Sequence, residues 1–264
     1  MRMLIAGLAA VVFSQVGMAQ GPAAVSGATG GRASAPAANP AGGGNGELEC
    51  LVEPHMLVNV GSSVDGVLEE VLVNRGDKVR RGQVVARLQA GVEAASVKLT
   101  EARVEFGRRK LDRTQGLVEK QLISTQEMDE LITEVKLREE ELKKEQETLK
   151  LRTILSPIDG VVVERRLTPG EFIRTDKSVV LRLAQIDPLN IEVIAPSRMF
   201  KTVHVGMPGR VSLAPFFPGF HTAKVMVVDK VIDAASGTLG VRLQLPNPDN
   251  KIPAGIKCSV VIGR

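Results

Sequence analysis

Ser63-Val64-Asp65-Gly66-Val67 and Ser156-Pro157-Ile158-Asp159-Gly160-Val161 open two stretches of this chain that follow one pattern. The first continues to Arg75-Gly76-Asp77-Lys78-Val79 and Val84-Val85-Ala86-Arg87-Leu88. The second continues to Pro169-Gly170-Glu171-Phe172-Ile173 and Val179-Val180-Leu181-Arg182-Leu183. Asp-Gly-Val starts each copy, and a Gly-acid pair follows ten residues later in both, at Gly76 and Gly170. Short β-branched runs between glycine turns read as strands. Neither copy carries enough apolar surface to close a core alone, so the two should pack on each other as one split sandwich.

What separates the copies is helical in period. Residues 91–152 are dense in charge, nearly balanced in sign and free of proline. Val97, Val104, Leu111 and Val118 recur every seven residues, with Thr100, Gly107 and Thr114 between them. Met128, Ile132, Val135, Leu142 and Leu149 repeat the alternation, interrupted by Glu139 and Gln146. Two amphipathic helices of about four heptads each fit this spacing. Ser124-Thr125-Gln126-Glu127 reads as a capping box that starts the second helix. A short loop between them makes an antiparallel hairpin. One continuous exposed helix is the competing reading, which the capping signal opposes.

On the far side, Asp187 to Arg264 is rich in Val, Ile, Pro and Gly, with turn pairs at Pro208-Gly209, Pro218-Gly219 and Ser236-Gly237. Its alternating runs are Val203 to Val211, Lys224 to Asp229, Gly240 to Leu245 and Gly255 to Val261. They predict a small antiparallel barrel. At the other end, Arg2 precedes an apolar run from Leu4 to Phe13, and Gly17-Met18-Ala19 offers small residues at −3 and −1. This is the pattern of a cleavable secretory signal, too short to span a bilayer. The expected cut follows Ala19, and no cysteine near it would carry a lipid anchor. Residues 20–46 are mostly Gly, Ala and Pro and read as a flexible linker.

Composition narrows the function. Of 264 residues only 3% are aromatic, with no Trp or Tyr, which argues against a base-stacking nucleic-acid binder. The net charge of +4 is too small and dispersed to imply nucleic acid. Two widely spaced cysteines and three scattered histidines, His55, His204 and His221, give no zinc pattern. No catalytic spacing or phosphate-cradling loop stands out, so an enzyme is not expected, and neither a metal nor a cofactor is.

Taken together, the split strand–turn repeat and the inserted hairpin resemble the periplasmic adaptors, or membrane fusion proteins, of the HlyD type. The resemblance rests on Val67 to Val79, on Ile154 to Val162, and on Ala235 to Leu239, Leu245 to Pro248 and Ile252 to Ile256. It implies a mainly β fold with an inserted α-helical hairpin: a split lipoyl-like β-sandwich plus a small antiparallel β-barrel. The expected divisions are a signal peptide (1–19), a linker (20–46), a first barrel strand (47–55), the first lipoyl-like half (56–90), the hairpin (91–152), the second half (153–186) and the barrel (187–264). Many adaptors of resistance–nodulation–division (RND) pumps carry a further membrane-proximal domain, which is not expected here. The resemblance further implies a non-catalytic periplasmic connector between an inner-membrane transporter and an outer-membrane duct, assembled as a ring, commonly a hexamer. The short hairpin favours an RND transporter and leaves an ATP-binding cassette (ABC) type open.

Arg113, Leu117 and Ser124 reproduce the Arg-x3-Leu-x6-Ser spacing with which the resembled family engages its duct. Each also has an ordinary explanation as solvated charge, core knob and helix cap. An exported structural protein with a non-duct partner is the alternative. A lipoyl or biotin carrier would need a modifiable lysine at the turn joining the halves, where the hairpin stands instead. Lys78 lies inside the first half. In the adaptor architecture the chain enters and leaves through one barrel, so Cys50 and Cys258 become candidates for a disulfide in an oxidising compartment. Two buried free thiols are the competing state.

Overall fold

The computed structural model describes residues 46–118 and 123–263. The expected signal peptide, residues 20–45 of the linker and residues 119–122 of the hairpin loop lie outside the described residues.

Twelve strands, two α-helices and one short 3-10 helix (Ser197–Lys201, between β8 and β9) follow one another among the described residues: β1 (Leu48–Val60), β2 (Gly66–Val71), β3 (Lys78–Val79), β4 (Val84–Leu88), α1 (Gly91–Val118), α2 (Thr125–Lys150), β5 (Thr153–Leu155), β6 (Gly160–Arg165), β7 (Phe172–Ile173), β8 (Leu181–Pro196), β9 (Pro208–Leu213), β10 (Phe217–Val228), β11 (Thr238–Leu245) and β12 (Lys257–Ile262). The fold is the expected one, mainly β with a helical hairpin inserted between two half-sandwiches and a barrel beside them.

The sandwich shows why the repeat exists. β2 pairs with β7 and β3 with β6, so each half lends its short strand to the other. Gly76 N–H donates to the Val162 carbonyl and Gly170 N–H to the Leu68 carbonyl, at 2.8 and 2.7 Å. Both glycines sit at positive φ, 93° and 94°, where a side chain would be strained. The Asp of each Asp-Gly pair also reaches across: Asp65 Oδ1 accepts from Thr175 N–H and Asp159 Oδ1 from Arg81 N–H, at 2.8 and 2.9 Å. Within each copy a serine hydroxyl closes the approach, Ser62 donating to Val64 O and Ser156 to Ile158 O. The glycines after the aspartates are required by close approach, since a Cβ at Gly160 would collide with the Ala184 carbonyl. One core draws on both halves, with Leu68, Val79, Val85 and Leu88 meeting Val162, Ile173, Val180 and Leu183, all essentially buried.

The barrel closes in the order β1-β12-β9-β10-β11-β8, with β8 returning to β1. Alternate residues point inward, as in Leu189, Ile191, Val193 and Ala195 of β8 and Leu239, Val241, Leu243 and Leu245 of β11. The expected run from Val203 is shorter than its apolar pattern suggests. Met207 N–H turns back to the His204 carbonyl, and the strand begins only at Pro208.

The expected divisions at 55/56 and 186/187 fall inside two continuous strands. β1 and β8 each run through the barrel and on into the sandwich, paired from Cys50↔Val193 to Val60↔Leu181. Their register shifts only between Pro54 and Met56, where one residue of β1 faces the longer stretch Ile186-Asp187-Pro188 of β8. Buried Asn247 ties this irregularity down. Its Nδ2 donates to the carbonyls of Ile186 and Ile252, its Oδ1 accepts from Ile252 N–H, and its own N–H donates to Asp187 Oδ1. A buried amide with every polar group satisfied stabilises one geometry over others.

Candidate functional site: the helical hairpin

The hairpin is fixed at its root by Arg152, the residue after α2 in the approach to β5. One guanidinium nitrogen donates to the Asp65 carbonyl at 2.8 Å and the other to Glu93 Oε1 at 2.5 Å. Glu93 lies in the first turn of α1. Its carboxyl is held below the usual carboxylate range by its own backbone N–H, and further by Arg152, against some desolvation. The same guanidinium occupies the space a Cβ at Gly66 would need. A single side chain thus joins both helix ends to the repeat's first Asp-Gly.

Along the seam, α1 faces inward with Val97, Thr100, Val104 and Gly107, as the heptads predict. On α2 the expected register is displaced by one residue at every second contact. Leu131 is buried and Ile132 is 44% exposed, and Arg138 and Glu145 replace Glu139 and Gln146 against α1. The opposing helix decides this. Gly107 leaves room beside Val135 and Arg138, so Arg138 crosses to the Arg103 carbonyl, and Ser96 donates to Glu145 Oε2 at 2.8 Å. Glu139 is left on the flank, where Arg108 pairs with it at 2.6 Å.

At the tip, Arg113 is exposed within the last two turns of α1. Ser124 is exposed and caps α2, its hydroxyl accepting from Glu127 N–H at 3.1 Å. Leu117 belongs to α1, but its side chain lies outside the described residues. The structure therefore brings Arg113 and Ser124 to one end of the hairpin, and the capping role of Ser124 stands beside any contact role.

The sequence reading passed over a second pattern on α1. Val92, Ala95, Leu99, Ala102 and Phe106 repeat the 3–4 spacing on the side away from the seam, and all are exposed. Continuing the heptad count on the outer face would have found it.

Elsewhere, Cys50 of β1 and Cys258 of β12 are register partners with Cα atoms 4.8 Å apart, within the range a disulfide spans. His55 Nδ1 stands 3.4 Å from Asn190 Oδ1, and His221 Nε2 is buried without a hydrogen-bond partner. Lys78 lies on β3 and donates to the Asp249 carbonyl at 3.3 Å, while the junction of the two halves is the hairpin itself.

A sandwich of two interleaved halves, split by a coiled coil and continuous with a barrel, defines the barrel-sandwich hybrid class. Residues 56–184 match the CzcB-like, barrel-sandwich hybrid domain. It is 22% identical over 228 residues to the antibiotic efflux pump periplasmic linker protein ArpA of Pseudomonas putida, covering 80% of this chain and 60% of that protein. It is 25% identical over 244 residues to the macrolide export protein MacA of Yersinia pestis, covering 78% and 64%. The chain therefore spans less than two thirds of the length of these curated relatives. A MacA–MexA chimera carrying the Pseudomonas aeruginosa MexA α-hairpin domain superposes with a TM-score of 0.69 at 18% identity, covering 82% of this chain and 78% of that one. At that identity the likeness is one of fold.

Proposed function

We propose that this chain is a non-catalytic periplasmic adaptor, joining an inner-membrane transporter to an outer-membrane duct in a tripartite export pump. The observation that carries the reading is the hairpin. It stands at the junction of the halves, where a lipoyl or biotin carrier would present its lysine, and it is clamped there by Arg152, with Arg113 and Ser124 exposed toward its far end. A rigid arm of about 40 Å fixed at one end is suited to reaching a partner. The names borne by its relatives, a periplasmic linker and an export protein, support the same role.

In this reading Arg113, Leu117 and Ser124 contact the duct, with Arg113 donating to its carbonyls or carboxylates and Leu117 filling a groove. The barrel approaches the transporter, of RND type rather than ABC type, and copies of the chain form a ring around the exit path. The transporter supplies the energy. Affinity isolation of the tagged full chain from cross-linked cell envelopes tests this: a transporter and a duct protein should be recovered together. Recovery of neither would overturn the adaptor role and leave an exported connector.

A further inference from the structure

Charge is nearly balanced along most of this chain, but one stretch is one-sided. Between Glu192 and Asp229 there is no acid, although aspartate and glutamate together number 30 in the 264 residues. The same stretch holds Arg198, Lys201, Arg210 and Lys224. It also holds four of the chain's seven phenylalanines, Phe200, Phe216, Phe217 and Phe220. Most of it folds into β9, β10 and the turn between them.

Strand alternation decides what this part of the barrel shows to solvent. Val211 and Leu213 of β9, Ala223 and Val225 of β10, and Cys258 and Val260 of β12 belong to the core. Arg210, Lys224 and Lys257, next to them in sequence, therefore face outward, and all three are exposed. Among the described residues none of the three forms an ion pair. Phe220 is the register partner of Ser212, which puts it on the same outer wall. The Arg210 guanidinium stands over its ring, 5.4 Å from the centroid. The turn is anchored at its base: Phe217 packs against the core, and Phe216 N–H donates to the Leu213 carbonyl at 3.1 Å. Phe216 and Phe220 are nonetheless each 64% exposed. Two of the acids beyond the stretch are already engaged, Glu192 by Arg242 and Asp249 by Lys251. Glu49, opposite Ser259, marks the β1 edge.

We infer that this wall, from the Phe216 turn to Lys224, is a docking surface for an anionic phospholipid bilayer. The rings lead at the turn and the cations follow along the wall. A bilayer presents the matching order, with an apolar interior beneath negative phosphates. Phenylalanine rings enter the boundary between headgroups and acyl chains, and lysine and arginine stay level with the phosphates. Exposed apolar surface bordered by unpaired cations is complementary to that interface. The inference goes beyond the adaptor reading, since it needs neither transporter nor duct.

The chain has no tryptophan, so a single one reports on its own surroundings. Phe216→Trp places it at the turn, and Phe172→Trp, at an exposed sandwich position, is the control. Both replace exposed rings, so circular dichroism should be unchanged. The purified full chains are titrated with vesicles of phosphatidylglycerol and phosphatidylethanolamine, and separately with phosphatidylcholine vesicles. With the anionic vesicles alone, emission of Phe216→Trp should shift to the blue and be quenched by brominated acyl chains. Phe172→Trp should not respond. Adding Arg210→Gln, Lys224→Gln and Lys257→Gln to Phe216→Trp should weaken the apparent affinity about a hundredfold, at about fivefold for each cation near the surface. No shift, an equal shift with phosphatidylcholine, or an equal response from Phe172→Trp would overturn the inference. So would unchanged affinity after the three glutamine changes. Absence of vesicle binding, with transporter and duct still recovered from envelopes, would sink this inference and leave the adaptor reading standing.

Discussion

Arg152 joins the root of the hairpin to the sandwich. It is half-buried, charged and bonded to both the Asp65 carbonyl and Glu93. Hydrogen bonds to charged groups contribute about 1.5–3 kcal/mol each when not fully exposed. Arg152→Met keeps the packing stem and removes both bonds, so it should lower stability by about 2–4 kcal/mol in urea denaturation. Glu93 gives this a pH signature. Its folded carboxyl titrates below the ordinary value of 4.5, so the stability it confers is fully present above that value and is lost as pH falls through its folded pKa. The gap between wild type and Glu93→Gln should thus be constant near neutrality and narrow as pH falls below the ordinary carboxylate value. A gap that persists in acid would mean the ion pair is irrelevant to stability. None of this was legible from sequence. An arginine beside a helix end looks like solvated charge, and the exchange of Asp65 and Asp159 between halves appears only when the copies are brought face to face.

At the scale of elements, the sequence predicted both helices, their antiparallel order and the cap at Ser124, because period and capping are local properties. The register of α2 was not local. Leu131 and Ile132 are adjacent, and packing of the two helices buries Leu131 while leaving Ile132 44% exposed. Leu131→Ala should therefore cost about 2–4 kcal/mol, as deletion of a buried leucine does. Ile132→Ala should cost under about 1 kcal/mol. Hydrogen exchange of the α2 amides reads the difference, and equal costs would restore the sequence-derived register. The tip supplies a functional counterpart. Arg113→Asp and Ser124→Arg should each reduce recovery of the duct and export of substrate at unchanged abundance. The Ser124 change also loses a cap worth about 1 kcal/mol. Normal export by both variants would remove the tip from the mechanism.

For the molecule as a whole, what the sequence hid was continuity. Separate barrel and sandwich domains were the natural reading of a chain with turns between its runs, yet β1 and β8 pass through both and bind them into one sheet. The division falls on a bulge that Asn247 holds from a distant loop, and no local motif announces such a bond. The same closure brings the first barrel strand beside the last. Cys50 and Cys258 meet across that β1–β12 ladder, Cα to Cα 4.8 Å, although 208 residues separate them. We propose that they are disulfide-bonded in the exported protein, tying the chain's way into the barrel to its way out. Chain entropy alone would make such a long loop worth about 5 kcal/mol, an upper figure because residual structure in the unfolded chain reduces it. Mass spectrometry of protein from the envelope, alkylated without reduction under denaturing conditions, should find no free thiol and a linked Cys50–Cys258 peptide. Cys50→Ser with Cys258→Ser should then melt several degrees lower than the oxidised wild type while keeping the barrel's circular dichroism. Two alkylated cysteines in the unreduced protein would mean that the ladder, with its buried Val52, Val193 and Val260, closes the barrel unaided.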